Sequence, residues 1–340
     1  MYKETVLFIG NVLTIHGYNL SQLEFLTKKL SKYVTIKTFS NKLNKVHRMI
    51  DMILGIFLNR NQNTIAFIDT YSHHAFYYAL FCSLFCQVMR IKYVPILRGG
   101  NLPMRLRTNP YLSKLIFNYS MVNISPSIFL KMKFKKYSFK SRYIPNIIDI
   151  KNYPFQLRRN CNPKLLWVRS MHKSYNPKMA VKVISELIKN IPDASMFMVG
   201  PDKDGSCNEC VQLARKLGIE ESIHFIGALK KSSWINLSKE CDIFINTTNY
   251  DNMPVSVVEA MALGLPVVST NVGGLKYLLE DGKDAALVPR NDTSMMVEKI
   301  KLLVTDSNIS TNLSKNARKK AEGFCWENVR LDWLRLVSLA

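Results

Sequence analysis

The feature that most narrows the fold is a rhythm. Short runs of β-branched and other apolar residues recur along the whole chain, separated by longer amphipathic stretches. The runs fall at 6–9, 34–39, 65–69, 93–97, 122–125 and 142–144, then at 165–168, 196–199, 224–226, 243–246 and 267–269. They are apolar at successive rather than alternate positions, which predicts strands covered on both faces. Helical patterns between them predict parallel pairing. Two such sets in series predict two doubly wound α/β domains. A length of 340 residues suits two domains of about 150–170 residues each. The boundaries are drawn at 1–150 and 151–323, with 324–340 as a closing segment. Pro145, Pro154 and Pro163 punctuate the junction, and no periodic pattern crosses it. Open parallel sheets bind ligands at the carboxyl ends of their strands. Two of them facing a cleft would place function on the loops that follow strands.

Several classes are excluded by simple counts. Hydrophobic residues make up 47% of the chain, enough for a core and too many for disorder. The longest uncharged, mostly apolar run is residues 75–89. It is short of the roughly 18–20 residues that span a bilayer. It reads as a buried helix after a strand, with an interfacial helix as the other reading. No secretory signal is legible. Seven cysteines, an odd number, read as free thiols in a reducing cytoplasm. Cys207 and Cys210 lack the second ligand pair of a structural zinc site. The net charge is +22 and uneven: residues 1–150 hold 21 Lys and Arg against 5 acids, and the remainder 26 against 20. Lys131, Lys133, Lys135, Lys136, Lys140 and Arg142 form the densest cluster. Such a field attracts nucleic acid, anionic lipid or phosphorylated substrates; the bland reading is solvated surface charge.

The sharpest motif runs from Asp251 to Gly264. Two carboxylates, Asp251 and Glu259, stand eight positions apart. Pro254 suits the first turn of a helix and Gly264 its stop. Val255 and Ser256 then share the face of Glu259. Glu259 is the only charged residue from Asn252 to Leu275. A carboxylate on an apolar helix needs hydrogen-bond donors. A ribose diol would supply two, and an ion pair with an Arg or Lys elsewhere would serve as well. Downstream, residues 267–270 read as a strand, and Gly273 and Gly274 as a turn feeding a helix over 275–280. That turn offers backbone amides to an anion.

Taken together these residues resemble a known family. The pattern is an acid, seven residues, then Glu259-Ala260-Met261-Ala262. Gly264-Leu265-Pro266-Val267-Val268, Val272-Gly273-Gly274 and Leu278-Leu279-Glu280-Asp281-Gly282 follow. It is similar to the C-terminal domain of glycosyltransferase family 4, the retaining GT-B enzymes. Trp167-Val168-Arg169, Met198 to Pro201, Phe225-Ile226-Gly227, Cys241 to Ile245, and Phe324 with Trp326 and Glu327 extend the likeness over about 165–335. Over 1–150 it rests on Gly17, on Ser125 to Ser127, and on Pro145, Asn146 and Asp149.

The resemblance implies an α/β GT-B architecture of two Rossmann-like domains, with the last helix returning toward the first. It implies a hexosyl- or related glycosyltransferase that retains configuration. The donor would be a UDP- or GDP-sugar and the acceptor a glycan or lipid-linked saccharide, in surface polysaccharide or glycolipid synthesis. Glu259 would bind the donor ribose. Asp251, where the family more often has Glu, would lie near the transferred sugar. Met253, Val255, Ser256, Gly227, Gly273 and Gly274 would contact the donor, and Arg169 its diphosphate. The family's second cation falls on Ser174 here, so Lys173 is the candidate replacement. Arg98 occupies a loop that often carries His. It is read as facing phosphate or acceptor, with an interdomain salt bridge as the other reading. Gly17, His73 and His74 are placed on the acceptor side. No metal and no other cofactor is called for, and the nucleotide-sugar is a substrate. The basic cluster suggests a cytoplasmic enzyme held peripherally on an anionic membrane face. Two other classes compete: a GT-B sugar-nucleotide epimerase, and a basic nucleic-acid-binding protein. No helix-turn-helix, zinc finger or aromatic RNA-binding signature supports the last, so nucleic acid is not expected as a partner.

Overall fold

The structure, a computed structural model, describes residues 5–16, 20–60 and 64–338. Gly17 lies outside them. In chain order the strands are β1 (Thr5–Ile9), β2 (Thr35–Phe39), β3 (Thr64–Thr70), β4 (Lys92–Leu97), β5 (Asn123–Ser125), β6 (Ser141–Tyr143), β7 (Lys164–Val168), β8 (Ser195–Val199), β9 (Ile223–Gly227), β10 (Ile243–Asn246), β11 (Val267–Thr270) and β12 (Ala286–Val288). The helices are α1 (Gln22–Leu30), α2 (Lys45–Leu58), α3 (Phe76–Val88), α4 (Leu102–Thr108), α5 (Pro110–Phe117), α6 (Ile128–Lys136), α7 (Pro177–Leu187), α8 (Ser206–Leu217), α9 (Lys231–Leu237), α10 (Val255–Leu263), α11 (Leu275–Leu278), α12 (Thr293–Thr305), α13 (Ser307–Glu322) and α14 (Trp326–Val337).

The chain divides into two compact units, Met1–Ile147 with Trp326–Ala340, and Ile148–Cys325. The division falls at Ile147, three residues before the position drawn from the prolines, and the return falls at Cys325. Each unit is built on a six-stranded sheet, and every strand pair is parallel. The apolar runs are the reason. All seven residues of β3 are buried, so that strand must be covered on both faces. Only β12 escaped the sequence reading: three residues after a Gly282 turn give no periodicity to detect.

The first sheet runs β2-β1-β3-β4-β5-β6. One helix layer packs α2, α3, α4, α5 and α6 on a shared core that includes Met52, Phe76, Leu106, Ile116 and Leu130. The opposite layer packs α1 and α14, with Leu23, Trp326 and Trp333 beside Phe8 and Phe67. Residues 76–88 form helix α3, which is buried along one face only, through Phe76, Ala79, Leu80, Cys82, Ser83 and Cys86. Tyr77, Phe81 and Val88 on α3 are exposed.

The second sheet runs β12-β11-β10-β7-β8-β9, so the strand order reverses between β7 and β10. In folds of this kind ligands bind in the crevice expected at such a switch point, outside the carboxyl ends of the two strands. Helix α10 begins after Pro254 and stops at Gly264, which is left-handed (φ 81°). From Ser256 to Leu263 every residue of α10 is buried. The helix expected over 275–280 is a single turn, Leu275–Leu278.

Candidate active site

Arg169 is the first residue beyond β7, and Asp251 lies on the loop that leaves β10. The two strands that flank the switch point therefore deliver one cation and one anion to the same crevice. Arg169 Nη2 and Asp251 Oδ2 form an ion pair, with side chains 17% and 15% exposed. The Arg169 guanidinium sits 4.5 Å from the centre of the Tyr175 ring. Burial lowers the Arg169 pKa, and Tyr175 and Glu259 act in the opposite direction.

Hydroxyl side chains fix the loops. Trp167 Nε1 donates to Thr247 Oγ1 (3.0 Å), and Thr247 Oγ1 donates to the Tyr175 carbonyl (2.9 Å). Thr248 Oγ1 donates to the Ser174 carbonyl at 3.2 Å. Thr270 Oγ1, at the end of β11, donates to the Thr248 carbonyl at 2.7 Å. Three strand-end loops are thus tied to one another. Gly200 is required beside them. Its φ is +150°, and a β-carbon there would run into the Arg169 carbonyl.

Gly273 and Gly274 also shape the loop that carries Asp251. The Gly274 amide donates to the Asp251 carbonyl at 2.8 Å, so it is not free for an anion. A β-carbon at Gly273 would overlap the Asp251 carbonyl, and one at Gly274 the Asn252 carbonyl. The glycine pair lets the acid-bearing loop seat against β11. Replacing Gly274 by alanine should therefore force that backbone apart. A loss of about 1–3 kcal/mol in stability is expected, read as a lowered thermal midpoint.

Glu259 is 4% exposed on the buried helix α10. Tyr153 Oη donates to its Oε1 at 2.7 Å, and Lys231 Nζ donates to the same oxygen at 2.5 Å. The ion-pair reading is thus realised at Oε1. Burial raises the Tyr153 pKa, and Glu259 raises it further, so the phenol stays a donor. The sequence reading missed both partners. Lys231 opens α9 just past β9, and a cation on a strand-end loop is a usable signal. Tyr153 lies in the proline-punctuated stretch that reads only as a junction. Lys231 is 43% exposed, so its pairing is partly screened. Lys231→Met should cost about 1 kcal/mol. Combined with Glu259→Gln, the double variant should lose less than the sum, because each single change already breaks the pair.

Other predicted residues are placed as follows. Met253 and Ser256 are buried and Val255 is half-buried. Ser256 Oγ and Arg169 Nε are buried without a hydrogen-bond partner. Such atoms are scarce in folded proteins, and both belong to the segments that build this crevice. Gly227 ends β9 with φ +74°, and its carbonyl accepts from the Gly200 amide at 2.8 Å. Lys173 is not brought to Arg169. It begins a single 3₁₀ turn, its side chain is 71% exposed, and its Nζ lies 4.0 Å from Glu209. A shift of one residue on such a turn rotates the side chain by roughly 120°. Arg98 is held inside the first unit, donating to Asp69 Oδ1 (2.9 Å) and Asn146 Oδ1 (2.7 Å). His73 and His74 are exposed on the turn before α3. Asp202 and Asp204 form an Asp-x-Asp spacing. Their carboxylates accept from the Gly205 and Ser206 amides at the start of α8.

Residues 149–320 match the family described as "Glycosyl transferases group 1". An uncharacterized glycosyltransferase of Haemophilus influenzae is 28% identical over 59% of this chain and 55% of its own length. One of Methanocaldococcus jannaschii is 22% identical over 76% and 71%. A D-inositol 3-phosphate glycosyltransferase of Corynebacterium kroppenstedtii is 25% identical over 48% of this chain. The chain thus covers only 55% and 37% of the first and third of these relatives. Among solved structures, Anabaena HepE in complex with UDP and glucose has a TM-score of 0.77 at 15% identity, covering 99% of this chain and 100% of that one. Sucrose-phosphate synthase from Thermosynechococcus elongatus has a TM-score of 0.80 at 14% identity, covering 99% of each chain. At these identities the likeness is one of fold: two doubly wound parallel-sheet units of the GT-B type.

Proposed function

This chain belongs to the glycosyl transferases group 1 family, and on that premise we propose that its second unit binds a nucleotide-sugar and transfers the sugar to an acceptor. The observation that carries the reading is the Arg169–Asp251 pair at the β7/β10 crevice, beside Glu259 on the buried helix α10. Breaking a sugar–phosphate bond leaves a nucleoside diphosphate with extra negative charge. A cation already fixed at the site stabilises that charge without reorganising. Arg169 is the cation of this reading, and its contacts with Asp251 and Tyr175 support it. Asp251 in turn offers a carboxylate to a sugar developing oxocarbenium character. Glu259 Oε2 is the acceptor for a ribose hydroxyl.

The donor is a UDP- or GDP-sugar; that HepE was solved with UDP and glucose supports UDP. Transfer with retention of configuration rests on the family likeness. The acceptor is read as an anionic glycan or a lipid-linked saccharide of surface polysaccharide or glycolipid synthesis. The surplus of 21 basic over 5 acidic residues in 1–150 supports an anionic one. So does the phosphate in the name of the Corynebacterium relative. A panel of UDP- and GDP-sugars tests the reading, with donor hydrolysis as the readout and NMR of the first-formed sugar as the stereochemical one. Turnover of at least one donor with the anomer retained is expected. A folded protein that hydrolyses none of them defeats the reading, and an inverted anomer removes retention.

A further inference from the structure

The helix layer that packs α2 and α3 on the first sheet presents an apolar face outward. Leu54 on α2 and Phe81 on α3 are each 50% exposed, Leu58 is 74% exposed and Val88 72%. Between the two helices runs an open groove of about 400 Å³, lined by Met49, Ile53, Phe81, Leu84, Phe85 and Val88. α3 contains no charged residue. Side chains of this size exposed together on neighbouring helices mark an interaction surface.

The charges of this helix layer indicate what covers it. From Lys45 to Lys136 the only acids are Asp51 and Asp69, and Asp69 is buried against Arg98. Arg60 and Arg90 stand just past the C-terminal ends of α2 and α3. The Arg60 guanidinium lies 4.0 Å from the Phe57 ring centre, apolar ring and cation side by side. Helix α6 belongs to the same layer, with Lys131, Lys133, Lys135 and Lys136 exposed. Arg142, counted with that cluster in the sequence, is instead paired with Asp332 at 2.5 Å. Exposed Tyr77 and Tyr111 add amphipathic rings of the kind that settle at a membrane–water boundary. A second copy of this chain would set two strongly basic units against each other, residues 1–150 holding 21 basic against 5 acidic residues, which opposes self-association. No helix among the described residues is long and apolar enough to cross a membrane.

We propose that the α2–α3 face is a docking surface for an anionic lipid bilayer, its apolar side chains entering the headgroup boundary while the α6 lysines and the arginines at the helix ends bind lipid phosphates. Apolar area and cations act together in such anchoring, and neither alone holds firmly. The surface would bring the enzyme to a lipid-linked acceptor, and it extends the proposed function without depending on it.

Vesicle flotation tests it, with liposomes of phosphatidylcholine alone and of phosphatidylcholine with phosphatidylglycerol. The wild type should float only with the anionic vesicles. Leu54→Glu with Phe81→Glu should weaken that partition by about tenfold or more, with the thermal midpoint and donor hydrolysis unchanged. Lys133→Glu, Lys135→Glu and Lys136→Glu together should weaken it and flatten its salt dependence. Wild-type flotation by the Leu54/Phe81 variant would overturn the proposal. So would light scattering that shows a wild-type dimer which this variant splits without altering flotation. If flotation behaves as stated and no donor is hydrolysed, the docking surface stands and the enzymatic reading falls.

Discussion

Arg169→Ala is expected to lower donor turnover by about a hundredfold or more, the scale of losing one fixed electrostatic contact to a developing charge. The loss should appear mainly in kcat, because charge on the leaving diphosphate grows toward the transition state. Lys173→Ala is the paired control. Its side chain is solvent-exposed and turned toward Glu209, so turnover should stay close to wild type. Steady-state kinetics of donor hydrolysis on both variants decides the matter. A severe Lys173→Ala with a mild Arg169→Ala would reverse the assignment.

Glu259→Gln should weaken nucleoside diphosphate binding by about 1.5–3 kcal/mol, the range for a hydrogen bond to a charged group. That is roughly ten- to 150-fold in affinity. Tyr153→Phe separates the carboxylate from its support. It removes one donor to Oε1 (2.7 Å) and leaves the charge and Oε2 in place. A smaller effect on affinity is expected for it. Calorimetry with the fold checked by thermal melts distinguishes the two. Equal losses in both variants would mean that Glu259 acts by holding Tyr153 rather than by touching the nucleotide.

The legible and the hidden parts of this molecule follow one physical division. Strands buried on both faces announce themselves as unbroken apolar runs, so eleven of the twelve strands among the described residues are legible in the sequence; β12, three residues long, is not. Helix α10 was equally plain, because Pro254 and Gly264 mark its ends and Glu259 is its only charge. What a side chain touches across the fold was not legible. Glu259 meets Tyr153, 106 positions away, and Lys231, 28 away, and no local pattern encodes either distance. The neighbours of Lys173 and Arg98 are hidden for the same reason. Each is a cation near a strand end with an acid of its own unit beside it, Glu209 at 4.0 Å for one and Asp69 at 2.9 Å for the other. The 75–89 run shows the limit of hydropathy itself. Apolar content predicts that a helix avoids water, not whether protein or something else covers it.

Titration calorimetry of UDP and of GDP into the wild-type protein, with a random oligonucleotide as a polyanion control, tests the central claim most directly. Saturable binding of one nucleoside diphosphate at one site, persisting at physiological salt, with only weak, salt-sensitive binding of the oligonucleotide, is the result expected of a nucleotide-sugar site at Arg169 and Glu259. Absence of heat with both nucleotides, beside tight oligonucleotide binding that collapses with salt, would contradict it and return the basic first unit to the nucleic-acid reading.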